Sequence, residues 1–183
     1  MGRLIIGLTG AFGSGTSFLA DNFFAKRSFK KYSLSQQLKE KFAEEHGKSH
    51  ETRHELQDYG NELRKENRAA LAEILDNKSI SHDDLQQNIV IDSIRNPAEI
   101  KYFREKYPEF ILIGVFADYD VRWDRVKDTY NGSKDSFDLD EQKDKGTFEP
   151  EYGQKISDCF FESDLILSNN CLLYTSPSPR DVE

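Results

Sequence analysis

Three glycines in eight residues mark the part of this chain best suited to hold an anion. Gly10, Ala11, Phe12, Gly13, Ser14, Gly15, Thr16 and Ser17 match the GxxxxGK[ST] pattern at both anchor glycines and at the final hydroxyl. In that pattern the glycines let consecutive backbone N–H groups turn inward around a phosphate. The following helix adds its positive end, and the last hydroxyl reaches Mg²⁺. The lysine position holds Thr16. The backbone cradle is therefore kept, while the mobile positive charge that follows a transferred phosphoryl group is missing. The other reading of these residues is a glycine-rich turn with no ligand. The flanks favour the cradle, because residues 3–9 read as a buried strand and residues 18–26 as a helix with Phe18, Leu19, Phe23 and Phe24 inward. The expected cofactors are Mg²⁺ and ATP or another (deoxy)nucleoside triphosphate.

Asp92 ends the apolar run 88–92, at the carboxyl end of a strand, where ligands of open parallel sheets collect. With Ser17 it would hold Mg²⁺, partly through water; otherwise it is a helix cap or turn residue. Arg95 follows closely enough to address a phosphate from the same rim. Phe12, Tyr32, Tyr59 and Trp123 offer faces for a base or for core packing. His50 and His54 stand four apart, as a metal pair on one helix face or as ordinary solvated surface. Two cysteines, Cys159 and Cys171, make neither a disulfide scaffold nor a zinc site.

The elements that must position these groups alternate along the chain. Strands are expected at 3–9, 29–34, 88–92, 110–116 and 164–167. Helices are expected at 18–26, up to His46 after a cap at Ser33 or Ser35, and across 49–76 with a kink or a break at Gly60 and Asn61. Further helices should run from Pro97 to Lys106 and over 119–130 and 152–161. This order predicts an α/β fold with a parallel sheet covered on both faces. Residues 131–150 are polar and charged, with too few apolar residues for core, and read as a lid or a disordered insert. Acidic residues outnumber basic ones there.

A length of 183 residues suits one domain, and 37% hydrophobic with 32% charged residues argues against disorder. No apolar run approaches a membrane span, so a cytoplasmic location is expected. The net charge of −8 disfavours broad nucleic-acid binding but leaves room for a mononucleotide. Residues 172–181 have two Ser-Pro steps and no periodicity.

The order of motifs resembles the nucleoside monophosphate kinase superfamily, particularly its dephospho-coenzyme A kinase and deoxynucleotide monophosphate kinase relatives. It is more similar still to the P-loop domain at the N-terminus of deoxycytidylate deaminase-like proteins, antiviral ones included. The matching stretches are 6–17, 52–68 (TRHELQDYGNELRKENR), 89–99 (IVIDSIRNPAE) and 153–169. Loops with GSG, a small residue and Ser or Thr resemble those of the deaminase-linked group. The resemblance implies a P-loop NTPase three-layer α/β/α fold with a lid at about 131–150. It places Arg53 and Arg64 on an acceptor or second-nucleotide monophosphate, assisted by Arg95; alternatively Arg53 and Arg64 pair with neighbours such as Glu62 or Glu66. Arg122 and Arg125 would stand at the lid root, reaching the donor, with Lys143 the lid's phosphate-facing residue.

Two functions follow from that likeness. The first is a nucleotide-sensing domain, residues 1–170, regulating a covalently linked deaminase-like domain lost by truncation; residues 171–183 then resemble a translated sequencing adapter rather than a genuine tail. The second is a nucleoside or deoxynucleoside monophosphate kinase-like phosphotransferase using ATP, with Asp92 and Arg125 as catalytic candidates and Arg125 replacing the absent lysine. Expected partners are mononucleotides, a further copy of the chain and the linked domain, with no membrane.

Overall fold

The computed structural model describes residues 3–47, 52–146 and 149–170; His50 and the tail from Cys171 onward lie outside the described residues. β1 (Ile5–Thr9) is central in a five-stranded sheet, between β3 (Ile89–Asp92) and β4 (Phe110–Phe116). β2 (Lys30–Ser33) lies outside β3, and β5 (Leu165–Ser168) outside β4. Every pairing is parallel, which is what near-continuous Ile, Leu and Val runs produce when both sheet faces are covered. Alternation splits the strands between two cores. Ile5, Ile89 and Ile91 meet Leu34, Leu38, Leu71 and Phe103 on one face, while Ile6, Leu8 and Val90 meet Ala20 and Phe24 on the other. The result is a three-layer α/β/α domain.

α1 (Thr16–Leu19) continues as a wider π-helical turn at Ala20–Phe24 and a 3-10 turn at Ala25–Arg27. That widening shifts the register, so Ala20 and Phe24 face the core and Phe23, expected inward, is 44% exposed. α2 (Leu34–His46) begins where the Ser33 hydroxyl accepts from the Gln36 amide, and Gly47 ends it with φ 65°. α3 (Arg53–Glu66) is capped by Thr52 and continues unbroken through Gly60, where a kink or a break was expected. Gly60 is there for closeness: a Cβ would sit 3.1 Å from Leu38 Cδ2 and 3.1 Å from Arg64 Nη1. The chain breaks instead after Glu66, where the Asn67 side chain accepts from the Ala69 amide ahead of α4 (Ala70–Lys78). α5 (Pro97–Lys106) starts with a capping box of Asn96 and Glu99.

α6 (Tyr119–Val126) passes through a 3-10 turn at Lys127–Tyr130 into α7 (Lys134–Lys145), and α8 (Ile156–Phe161) precedes β5. α7 corrects the expectation that residues 131–150 lack the means to form core. Phe137 is buried, with the rings of Tyr119, Trp123 and Tyr130 centred 5.3 to 5.5 Å away. Asp140, Glu141 and Asp144 are buried too, made tolerable by arginines from distant parts of the chain. Leu165, Ile166 and Leu167 of β5 remain exposed at the sheet edge. Among the described residues no helix is long and apolar enough to cross a membrane.

Candidate phosphate-binding site and its pocket

The loop between β1 and α1 turns through two left-handed glycines, Gly13 at φ 83° and Gly15 at φ 95°. Its carbonyls are held from outside. Arg122 Nη1 donates to Phe12 O at 3.2 Å, Arg125 Nη1 to Gly13 O at 3.2 Å and Asn169 Nδ2 to Ser14 O at 2.8 Å. The amides at the head of α1 are the ones a helix cannot pair internally, and they form its positive end. A Cβ on Gly15 would lie 2.4 Å from Asn169 Nδ2, so glycine is required there on both backbone and steric grounds.

Ser17 Oγ donates to Asp92 Oδ2 at 2.6 Å. The other carboxylate oxygen, Asp92 Oδ1, is buried and has no hydrogen-bond partner among the described residues. An oxygen-only donor set with one unsatisfied carboxylate oxygen fits Mg²⁺, which takes one or two carboxylates and completes its shell with phosphate and water. Ser93, next in sequence, is a non-glycine residue at φ 69°. The turn is pinned to β1 by Ile94 N on Leu8 O at 3.1 Å and Thr9 Oγ1 on Ile94 O at 2.9 Å, and it delivers Arg95 to the site.

A cavity of about 750 Å³ joins residues 10–13 and 15–18 to Lys39, Arg53, Gln57, Arg64, Ser93, Arg95, Arg125, Gln154 and Asn169, over an apolar floor of Leu34, Leu38, Leu56 and Leu71. Arg53, Arg64, Arg95 and Arg125 are thus brought together with the loop. Arg122 and Lys143 are not among the lining residues. Arg122 lies buried behind the loop in a two-fold pairing with Glu141, at 2.6 Å for each bond. Burial alone would raise the Glu141 pKa, yet Arg122 holds it below the ordinary value. Lys143 instead donates to Asp58 at 2.7 Å, beside His54.

Arg53, Arg64 and Arg95 pair within the chain, and Arg53 and Arg64 not with Glu62 or Glu66. Arg53 bonds to Asp144, and its Nε stands 3.1 Å from Asp140 Oδ2, an ion-pair distance without hydrogen-bond alignment. Arg95 Nη1 meets Asp144 Oδ1 at 3.3 Å and Gln154 Oε1 at 3.1 Å. Burial lowers the Arg95 pKa, although a guanidinium stays charged in proteins. Arg64 is fully buried on Glu99, with its Nε 2.9 Å from Oε1.

Of the aromatic candidates, Phe12 lines the cavity, with the Arg53 guanidinium 4.3 Å over its ring. Tyr59 is core, Trp123 packs on Phe137 and Tyr32 donates to Asp83. No group of three or more His, Cys, Asp or Glu able to hold a metal occurs among the described residues. The sequence reading gave no site role to Lys39, Gln57, Gln154 or Asn169, all of which line the cavity. Gln57 was findable, because Arg53, Gln57 and Arg64 recur on one face of α3. Asn169 carries no local signal, since it reaches the loop only through sheet closure.

No family model matches the chain. The UPF0200 protein MK0400 of Methanopyrus kandleri is 31% identical over 83 residues, which are 44% of this chain and 41% of that protein. The match therefore spans less than half of that relative's length. Solved structures match over most of the chain. TT1252 from Thermus thermophilus superposes with a TM-score of 0.60 at 16% identity, covering 94% of this chain and 92% of that one. Shikimate kinase from Acinetobacter baumannii, in complex with shikimate, gives 0.55 at 9% identity, covering 92% and 85%. Shikimate kinase from Aquifex aeolicus gives 0.50 at 15%, covering 90% and 85%. At such identities the likeness is one of fold: a three-layer P-loop fold of the nucleoside monophosphate kinase type, shikimate kinase-like.

This corrects the more specific resemblance. The structural neighbours are shikimate and nucleoside monophosphate kinase-like P-loop proteins, not deaminase-associated domains, so the deaminase and antiviral readings fall. The physical reason is that a GSG loop with a small residue answers to local turn geometry, which identifies no neighbouring domain.

Proposed function

We propose that this chain is a kinase-like phosphotransferase that binds Mg²⁺ and ATP at Gly10–Ser17 and passes the γ-phosphoryl group to a small acceptor held beside α3. The observation that carries this reading is one continuous cavity, which runs from the glycine loop to Arg53, Arg64 and Arg95. A phosphate cradle alone would not need the second half.

Ser17 and Asp92 would hold Mg²⁺, which when bound neutralises phosphate charge. The loop amides cradle the β- and γ-phosphates. Arg122, Arg125 and Asn169 keep the loop carbonyls turned outward. Arg125 and Lys39 are the lining cations nearest in role to the absent lysine. In the transfer, an acceptor oxygen bonds to the γ-phosphorus as the bond to the β,γ-bridging oxygen breaks. ADP leaves with that electron pair, and any proton on the acceptor oxygen passes to solvent. α7 holds the acceptor side through Asp140 and Asp144, which pair with Arg53 and Arg95.

The test is a coupled assay of ADP release from ATP, on the full chain, against nucleosides, nucleoside monophosphates and shikimate. Acceptor-dependent release is expected, about 100-fold below a lysine-bearing kinase, the scale of losing one transition-state donor. Tight ATP binding with no acceptor-dependent release from any of them would reduce the reading to nucleotide binding alone.

A further inference from the structure

The two edges of the sheet are finished differently. β2 carries Lys30 and Lys31 along one edge, the kind of charged guard that keeps an edge strand from pairing with another chain. β5 closes the opposite edge with Leu165, Ile166, Leu167 and Ser168, every one of them exposed. From Ser163 to Asn169 there is no lysine, arginine or proline. The one carboxylate of that stretch, Asp164, is spent on the Leu112 amide at 2.7 Å and on Arg104 Nη2 at 3.1 Å.

Both faces of β5 are bare, although parallel strands with apolar runs are normally covered on both. Ile166 pairs in register with Gly114, and a Cβ on Gly114 would stand 2.9 Å from Phe160 Cδ2 of α8. Ile166 therefore shares the α8 face with Phe116, whose ring is centred 6.5 Å from that of Phe160. Leu165 and Leu167 lie on the other face. The outer edge is open as well. Asn169 N donates to Phe116 O, so by the alternation of a parallel ladder Ile166 turns its N–H and C=O away from β4. Among the described residues, the backbone of Leu165–Ser168 makes no hydrogen bond beyond the β4 ladder.

The strand is complementary to itself. Set antiparallel to its own copy about Ile166, it puts Ile166 on Ile166, Leu165 on Leu167 and Asp164 on Ser168. Apolar residues then match on each face, and no carboxylate stands opposite another. A two-fold axis requires such a surface, in which one patch serves both partners. Phe116, Phe161, Leu165, Ile166 and Leu167 are 40% to 88% exposed, on the order of 600 Å² of apolar surface per copy at about 200 Å² for a large side chain. A standard interface takes about 800 Å² from each partner, and the backbone edge adds to the apolar share.

We propose that two copies of this chain associate edge to edge through β5, antiparallel about Ile166, so that their two five-stranded sheets become continuous. Leu165–Ser168 do not line the cavity, and the association stands apart from the phosphotransferase reading. Each copy has a net charge of −8, so like charges oppose the pairing and the apolar strand drives it. Added salt should therefore tighten it.

Sedimentation velocity on the full chain, across the micromolar range at low and high salt, is the first measurement. A dimer is expected, tighter at high salt. Ile166→Lys sets two like charges directly opposite each other and should raise the dissociation constant about tenfold or more, once circular dichroism shows the variant folded. If it does not fold, disulfide trapping decides. Ile166→Cys in a Cys171→Ser chain, where the remaining Cys159 is buried, places two thiols across a hydrogen-bonded antiparallel pair. Their Cα atoms would be about 5.5 Å apart, within disulfide reach. Oxidation should link those copies and leave Leu85→Cys, at an exposed position elsewhere, unlinked in the same background. The proposal is overturned if the wild-type chain is monomeric throughout, if folded Ile166→Lys dimerises as well as wild type, or if Leu85→Cys links as readily as Ile166→Cys. In a monomer, slow hydrogen exchange at the Ile166 amide would give the edge to a segment of the same chain, and fast exchange would leave it bare.

Discussion

Arg95 Nη1 stands 3.3 Å from Asp144 Oδ1, which ties the turn after β3 to α7 through a largely buried charge pair. The same carboxylate accepts from Arg53 and Gln57, so one residue of α7 organises three side chains of the cavity. Asp144→Ala removes the one carboxylate that, among the described residues, Arg53 and Arg95 share, and leaves two partly buried guanidinium groups short of a partner. The expected loss is about 3–5 kcal/mol, the scale for stranding one member of a buried pair. Urea denaturation followed by circular dichroism measures it, and a change below about 1 kcal/mol would show that α7 is not docked on this network.

Acid should loosen the same helix through Glu141. Burial pushes its pKa up, but Arg122 and Lys145 more than offset that and hold it below the ordinary 4.5. Because the folded value lies below the unfolded one, this group's stabilisation is complete above about 4.5 and is lost as pH falls through the folded value. Trp123, the only tryptophan, packs on Phe137 of α7 and reports the event. A fluorescence change is expected as pH falls below about 4.5, and it should be missing from the titration of Glu141→Gln, whose side chain does not ionise.

Ser17 and Asp92 make triphosphate affinity depend on Mg²⁺. Asp92→Asn keeps the shape and weakens the metal's hold, so the gain in adenylyl imidodiphosphate affinity on adding Mg²⁺ should shrink by about tenfold or more, the scale of losing a charged ligand or its hydrogen bond. An Mg²⁺ effect of equal size in wild type and variant would place the metal elsewhere.

Thr16→Lys restores the usual loop residue, but into a pocket that already has Arg125 and Lys39 along its lining. The gain in triphosphate affinity should be about 1 kcal/mol or less. A gain of several kcal/mol, read by the same calorimetry, would mean that no other group supplies the missing charge.

Much of this was legible in the sequence because it is local. The apolar runs of β1, β3 and β4 and the glycine loop each declare themselves within ten residues, and Pro97 marks its helix start by backbone chemistry alone. α7 did not, because its single buried aromatic and its buried carboxylates become sensible only beside Arg53, Arg95 and Arg122. Of the kink or break expected at Gly60, the break is absent for a similar reason. A glycine that admits Leu38 and a folded-back arginine reads, in isolation, like one that ends a helix. Ser17 with Asp92 was readable from the motif, whereas the clasp of Asn169 on Ser14 depends on sheet order.

The central claim is that a triphosphate sits in the loop of residues 10–17, and Gly15→Val tests it most directly. Gly15 has φ 95°, and its Cβ direction meets Asn169 Nδ2 at 2.4 Å, so a branched side chain must displace either the clasp or the phosphate. Circular dichroism first establishes that the variant is folded; adenylyl imidodiphosphate with Mg²⁺ is then titrated into wild type and variant by calorimetry. Binding to wild type and none to folded Gly15→Val is the predicted result. A folded Gly15→Val protein that binds with unchanged affinity would contradict the account, because the ligand would not then lie against this loop.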